Sequence, residues 1–238
     1  MKRVKNEIEH FSKLEHIWWG AKTYAGQRRY DDKLVKFKNY CNPQKGVRVL
    51  EIGCGDGEFS KRLVRLPIEV LGIDITPHVI NKAKKIYKGK KNIRFKIDNA
   101  EKLSLKSNTF NIVCGISILH HVNYERCLKE TYRVLKDGGQ IFFTEPNIYN
   151  PIIYLGLKIP FLRKKMEYSP DEVALVRWKM ESLLKSIGFK EVVVVNYDFL
   201  FPKTPRRFVK RVQKISKYLE KIFLVNNLSG SLIIWARK

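Results

Sequence analysis

Three acids, Glu51, Asp74 and Asp98, stand at or just beyond the ends of three short apolar runs, Val47–Ile52, Glu69–Asp74 and Ile93–Ile97. Between the first run and the stretch that follows, glycines alternate at Gly53, Gly55 and Gly57 in a Glu-x-Gly-x-Gly-x-Gly pattern. Glycines at a strand-to-helix junction let the backbone turn sharply and bring its amide groups close to a ligand. The dinucleotide fingerprint G-x-G-x-x-G would need glycine at position 58, where the chain has Glu58. A carboxylate at Glu51 suits a cationic ligand group and repels a pyrophosphate. An acid at the tip of the second strand of a βαβ unit, here Asp74, can accept hydrogen bonds from both hydroxyls of a ribose. Such charge-assisted bonds contribute roughly 1.5–3 kcal/mol each. The three strand ends share one edge of a parallel sheet, so the site calls for an amino group, a ribose and a base, with no phosphate.

These segments resemble the class I S-adenosylmethionine-dependent methyltransferases, in particular the broad type 11 family that includes quinone-biosynthesis enzymes. The likeness rests on VLEIGCGDG at 49–57, LGIDIT at 71–76, DNAEKL at 98–103, and FNIVCGISILHHV with RVLKDGGQIFFTEPN across 110–147, about the middle half of the chain. The resemblance implies S-adenosyl-L-methionine as cofactor. Glu51 and Gly53, Gly55 and Gly57 would line its methionine end, Asp74 would take the ribose, and Ile75 would lie against the adenine. Asp98, Asn99 and Ala100 would meet the adenine edge, and Ile116, just beyond the fourth strand, would lie near the methionine. Asn111 departs from the Asp usual after the Phe, at a position expected to precede the strand.

The elements needed to position such a site follow along the chain. Helices are expected over 1–46, from Ile8, Phe11, Leu14, Ile17 and Trp18, and again from Asp31 to Tyr40. Between them lies a glycine-punctuated aromatic stretch, Trp18-Trp19-Gly20 and Tyr24 to Arg29. Phe59–Leu66 and Tyr124–Leu135 are further expected helices, and Asp171–Ile187 another, capped near Ser169-Pro170-Asp171 and stopped at Gly188. Later strands are expected at 110–114, 140–144, 191–199 and 231–236. The succession gives an α/β fold, a doubly wound, seven-stranded, mostly parallel sheet with its last strand antiparallel. Residues 1–46 form a helical segment suited to act as a lid, and 47–238 the cofactor-binding domain. Within that domain 148–168 and 200–230 are insertions on the substrate side or surface.

The chain of 238 residues carries a net charge of +24, spread as +6 over 1–46, +7 over 47–150 and +11 over 151–238. Such a balance fits a well-solvated lysine-rich surface, an anionic membrane or nucleic acid. The insertion at 200–230 has the spacing of an amphipathic helix, with Phe208, Val212, Ile215, Leu219 and Ile222 on one stripe. Eight cations, from Lys203 to Lys221, face Glu220 alone. A packed cover over the acceptor pocket is the first expectation for it, a peripheral contact with anionic membrane the second, and RNA the last. An apolar stretch ending in cations, Ile152–Lys165, suits a greasy substrate entrance. No run is long enough to span a bilayer. The N-terminus lacks the apolar core of a signal peptide. Cys41, Cys54, Cys114 and Cys127 form no C-x-x-C pair, so a reducing, cytoplasmic setting is expected, with no disulfide framework and no zinc.

Methyl transfer chiefly requires a nucleophile held in line with the sulfonium methyl. A hydroxyl acceptor would also need a base. His121 is the first candidate, with His120 beside it and Glu145 after the fifth strand as others. The acceptor expected is a small or lipid-like molecule methylated on oxygen or carbon. An RNA acceptor is the alternative, though the fourth strand leads into Gly115-Ile-Ser-Ile-Leu-His-His121 and not the Asn/Asp-Pro-Pro-aromatic motif of base-amino methylation. A non-catalytic protein of the same fold is a third reading.

Overall fold

The computed structural model describes residues 2–13, 20–169 and 171–238; the expectations placed on Leu14, Ile17, Trp18, Trp19 and Pro170 lie outside the described residues. Seven strands, β1 (Arg48–Ile52), β2 (Glu69–Asp74), β3 (Ile93–Ile97), β4 (Phe110–Ile116), β5 (Leu135–Pro146), β6 (Lys190–Tyr197) and β7 (Ser231–Arg237), form one sheet in the order β3-β2-β1-β4-β5-β7-β6. Strands β1 to β5 pair in parallel, and β7 runs antiparallel to both β5 and β6. This is the doubly wound, mostly parallel sheet that the strand pattern calls for. The order reverses between β1 and β4, and a ligand crevice opens beyond the carboxyl ends of the strands at such a switch point.

Alternation along the strands builds a core on each face of the sheet. Leu50, Ile52, Val113 and Phe143 pack on one side, with Leu128 and Val134 of α5 (Tyr124–Val134) and Met180 and Leu184 of α8 (Arg177–Ile187). Val49, Ile112, Cys114 and Phe142 face the other side. There they meet Phe37 and Cys41 of α2 (Tyr24–Cys41), Leu63 of α3 (Ser60–Leu63), and Ile80 and Ala83 of α4 (Pro77–Ile86). All four cysteines are buried and unpaired.

Several boundaries differ from the sequence expectation. Helix α2 starts at Tyr24 and not at Asp31, so the aromatic stretch Tyr24–Arg29 forms its first turns, started by Thr23, whose hydroxyl accepts from Gly26 N. Gly26 is needed for packing: a Cβ there would lie 1.9 Å from the carbonyl oxygen of Gly20. Helix α8 starts at Arg177 and not at Asp171, because the preceding segment has other partners. Leu175 bridges Asn147, Val173 N donates to His120 O, and the Glu172 carboxylate accepts from Ser169 N. Helix α3 is shorter than the expected Phe59–Leu66, ending after Leu63. Asn111 lies inside β4, where its side chain accepts from Arg48 N across to β1.

The N-terminal helix α1 (Lys2–Lys13) lies across the carboxyl end of the sheet. Arg3 donates to the carbonyls of His120 and His121, and Asn6 donates to Asp171. Helices α6 (Pro151–Lys158) and α7 (Pro160–Lys165) follow β5, and α9 (Arg206–Leu219) with α10 (Phe223–Asn226) fills the connection between β6 and β7. The expected single stripe of α9 does not pack as a unit. Val209 is buried against Ala25 and Leu200, with Val212 beside them, whereas Phe208, Ile215 and Ile222 are exposed. The helix is rotated so that Ser216 faces inward, where its hydroxyl donates to Glu220 and accepts from Phe199 N.

Candidate active site

One cavity of about 330 Å³ opens at the carboxyl ends of β1, β2 and β4, roofed by α1 and flanked by α2. Glu51, Gly53, Gly55, Asp74, Ile75, Asp98, Asn99, Ala100, Ile116 and His121 all line it. Gly57 does not; Tyr87 packs against it and donates its hydroxyl to the Gly57 carbonyl, so this glycine serves packing of the loop.

The loop after β1 is bound to the tip of β2. Cys54 N donates to Ile73 O at 2.9 Å, and Gly55 N to Asp74 Oδ2 at 3.1 Å. Asp74 Oδ1 accepts from Thr76 N at 2.9 Å. Gly53 and Gly55 both hold positive φ, 67° and 53°. A Cβ at Gly53 would collide with Ile118, while at Gly55 it would meet no protein atom within 4 Å and would project into the cavity. The backbone is thus kept bare on the side where a ligand would lie. Burial pushes the Asp74 carboxyl above its ordinary range, against the pull of the Thr76 and Gly55 amides. Glu51 is buried and accepts from Ser60 Oγ at 2.5 Å; desolvation pushes it up to about 8 despite that bond. A buried acid in this state gains most from a cation placed beside it.

Asp98 is occupied by its own loop. Oδ1 accepts from Asn99 N and Ser104 N, and Oδ2 from Ser104 Oγ and the Lys96 ammonium. Its oxygens hold the turn, and this turn places Asn99 and Ala100 along the cavity wall.

Lys33 was not among the sequence candidates. It lies on α2, is buried, and lines the same cavity. Among the described residues its ammonium has no carboxylate or hydrogen-bond partner, only the Tyr30 ring at 5.2 Å. Desolvation, aided by the Arg29 charge, pulls it down to about 7. Arg29, one turn earlier, is neutralised by Asp198 at 2.6 Å. Lys33 thus places a buried amine on the cavity wall, where an anion would favour its charged form.

At the other end of the cavity β4 leads through Ser117, at φ 55°, into a 3₁₀ turn at Leu119–His121. Glu145 at the end of β5 braces this turn: Oε1 accepts from Ile118 N and Leu119 N at 2.9 Å each, and Oε2 lies 2.6 Å from His120 Nδ1. Burial raises Glu145 to about 7 and lowers His120 to about 3. His121 Nδ1 lies 3.2 Å from Glu7 Oε2, and Ser169 Oγ donates to Glu7 Oε1. Burial and the neighbouring His120 lower His121, so its imidazole is neutral near pH 7. Among the described residues its Nε2 has no hydrogen-bond partner. A neutral imidazole flanked at Nδ1 by the Glu7 carboxylate and by Ser169 Oγ at 3.4 Å can accept a proton at Nε2. His120, His121 and Glu172 also bring ligand atoms within 4.8 Å of one another, a donor set that could hold a divalent cation. The sequence reading expected no metal.

Residues 50–143 match the type 11 family described as a methyltransferase domain. The ubiquinone biosynthesis O-methyltransferase of Pelagibacter ubique is 31% identical over 161 residues, covering 60% of this chain and 65% of that protein. An uncharacterized protein of Methanocaldococcus jannaschii is 35% identical over 147 residues, covering 60% and 52%. This chain thus spans less than two thirds of the length of these relatives. Among solved structures, an S-adenosylmethionine-dependent methyltransferase from Thermotoga maritima superposes with a TM-score of 0.67 over all of both chains at 20% identity. Phosphoethanolamine N-methyltransferase 2 of Haemonchus contortus, in complex with phosphomonomethylethanolamine and S-adenosylhomocysteine, gives 0.69 at 16% identity, over 97% of this chain and 60% of that one. These two likenesses establish the fold. Residues 50–143 therefore carry the likeness to methyltransferase domains.

Proposed function

We propose that this chain is an S-adenosylmethionine-dependent methyltransferase that methylates oxygen or carbon of a small or lipophilic metabolite. The observation that carries this reading is the convergence of Glu51, Asp74 and Lys33 on one cavity lined by bare glycine backbone. When bound, S-adenosylmethionine supplies an electrophilic methyl on a sulfonium, together with an ammonium, a carboxylate, a ribose and an adenine. Glu51 would hold the ammonium and Lys33 the carboxylate. Asp74, kept in place by the Gly55 and Thr76 amides, would accept from the ribose hydroxyls. Ile75, Asn99 and Ala100 would line the adenine end. The ammonium and carboxylate would favour the charged forms of Glu51 and Lys33, which burial disfavours in the free protein.

The acceptor end supports a greasy molecule with a hydroxyl. Val4, Phe11, Ile152, Ile153, Leu200 and Phe201 line it, and His121 is its candidate base. Glu7 fixes the ring through Nδ1 and stabilises the imidazolium formed when Nε2 takes the acceptor proton. Helix α1 supplies Glu7 and Arg3, so residues 2–13 act as a lid that also completes the base, while α2 belongs to the packed core. Closing the lid excludes water and orients the nucleophile, a contribution on the order of 7–11 kcal/mol when geometry is well matched.

The test is incubation of the purified chain with methyl-labelled cofactor and a cell extract, followed by partition into organic, aqueous and RNA fractions. Label in the organic fraction is the expected result. Label in RNA would replace the acceptor class, and absence of cofactor binding would leave a non-catalytic fold.

A further inference from the structure

The apolar residues that α9 leaves unpacked form a surface with a definite chemistry. Phe208, Ile215 and Tyr218 are exposed at spacings of seven and three residues, so they share one stripe beside the buried row of Val209 and Ser216. The chain then turns at Ile222 and presents Phe223 and Leu224, 79% and 76% exposed. Side chains of this size gain nothing from water, and two adjacent ones on a turn are the arrangement of an inserting tip.

A second element continues this surface. Asn150, which caps α6, donates to Leu228 O at 2.8 Å, and Asn147 donates to the carbonyls of Asn227 and Ser229. The start of α6 therefore sits beside the end of α10. From there α6 and α7 expose Ile152, Tyr154, Leu155, Ile159 and Phe161, the last at 71%. Ile152 and Ile153 also line the cavity, as do Phe199, Leu200 and Phe201 from the stretch leading to α9. The apolar surface borders the cavity mouth on both sides.

The charges around it are predominantly positive, with Glu167 after α7 and Glu220 after α9 as the acids. Lys203, Arg206, Arg207, Lys210, Arg211, Lys214, Lys217 and Lys221 lie along α9 and its ends, and Lys158, Lys164 and Lys165 along α6 and α7. Among the described residues none of the eight cations near α9 forms an ion pair. The one acid of that segment, Glu220, is engaged by Asp198 N, Ser216 and Lys36. On a helix, Arg207, Arg211 and Lys214 flank the Phe208–Ile215 stripe on the side away from the core. No helix among the described residues is long and apolar enough to cross a membrane, so this face can lie on a bilayer but not span it.

We propose that α6, α7, α9 and α10 form a docking face for an anionic phospholipid bilayer, with Phe223 and Leu224 as the inserting tip and the cavity mouth turned toward the lipid. The exposed large apolar residues distinguish this partner from nucleic acid, which would use the cations and stacking aromatics but leave the aliphatic tip in water. The docking face is independent of the methyltransferase reading: it rests on surface residues that take no part in the cofactor site.

The test is co-sedimentation of the full chain with vesicles of phosphatidylglycerol and phosphatidylcholine, and of phosphatidylcholine alone, at low and physiological salt. Binding should require phosphatidylglycerol and weaken with salt. Phe223→Ser with Leu224→Ser should reduce it at least tenfold. Arg207→Glu with Lys214→Glu should reduce it more than tenfold, each lost surface cation being worth about fivefold. Both double variants should keep the wild-type circular-dichroism spectrum and melting temperature, which shows that they are folded. Equal vesicle binding by wild type and both variants, equal binding to neutral vesicles, or capture of RNA in place of vesicles would overturn the proposal.

Discussion

Gly55 N donates to Asp74 Oδ2 at 3.1 Å, so the glycine loop after β1 and the acid at the end of β2 form one bonded unit. The loop cannot move without the acid, and the remaining lone pairs of Asp74 keep a fixed direction into the cavity.

Asp74→Ala should therefore lose cofactor affinity without unfolding the sheet. Two charge-assisted bonds at roughly 1.5–3 kcal/mol each correspond to a loss of at least a hundredfold. Titration calorimetry with S-adenosylhomocysteine, alongside a thermal melt, measures both quantities. Unchanged affinity would remove Asp74 from the site.

Lys33 and Glu51 give a pH signature. In the free protein Glu51 is raised to about 8, so an ammonium ligand must drive off its proton, and this half of the site strengthens as pH rises toward 8. Lys33 is lowered to about 7, so a carboxylate ligand must draw a proton onto it, and that half weakens as pH rises above 7. Between pH 7 and 8 the two trends oppose, and wild-type affinity should change little. Lys33→Met should bind more weakly and show affinity rising with pH up to about 8. A flat profile in that variant would contradict the pairing.

His121→Ala should slow turnover of a hydroxyl acceptor by about 10²- to 10⁴-fold while leaving S-adenosylhomocysteine binding intact. Glu7→Gln should act in the same direction more weakly, because it orients the ring and does not touch the acceptor. A fall in cofactor affinity equal to the fall in kcat would return His121 to a structural role.

Gly26→Ala should destabilise the chain, since the added Cβ would lie 1.9 Å from the Gly20 carbonyl. Overpacking of this kind costs typically 1–3 kcal/mol. A thermal melt unchanged from wild type would show that the start of α2 can shift away.

The sheet and the acids at its strand ends were legible because their signals are local. Glu51, the glycines, Asp74 and Asp98 each sit where an apolar run stops; β1 and β2 are largely buried, and β3 is the edge strand with Arg94 and Ile97 exposed. Lys33 was not legible as a site residue, being one of 47 lysines and arginines whose burial no local pattern announces. The usable signal was its row: Arg29, Lys33, Phe37 and Cys41 recur every four residues, and Phe37 and Cys41 are core. The pairing of His121 with Glu7 joins residues 114 apart in sequence, and only the fold brings them together. The packing of α9 is hidden from the sequence for a similar reason: periodicity defines an apolar stripe, but Ser216 and its bonds decide which side turns inward.

The most direct measurement is a crystal structure of the chain with S-adenosylhomocysteine. One molecule should occupy the cavity, its ammonium at Glu51, its carboxylate at Lys33, its ribose hydroxyls on Asp74 and its adenine between Ile75 and Ala100. A ligand bound elsewhere, or a cavity left empty at saturating concentration, would contradict this placement.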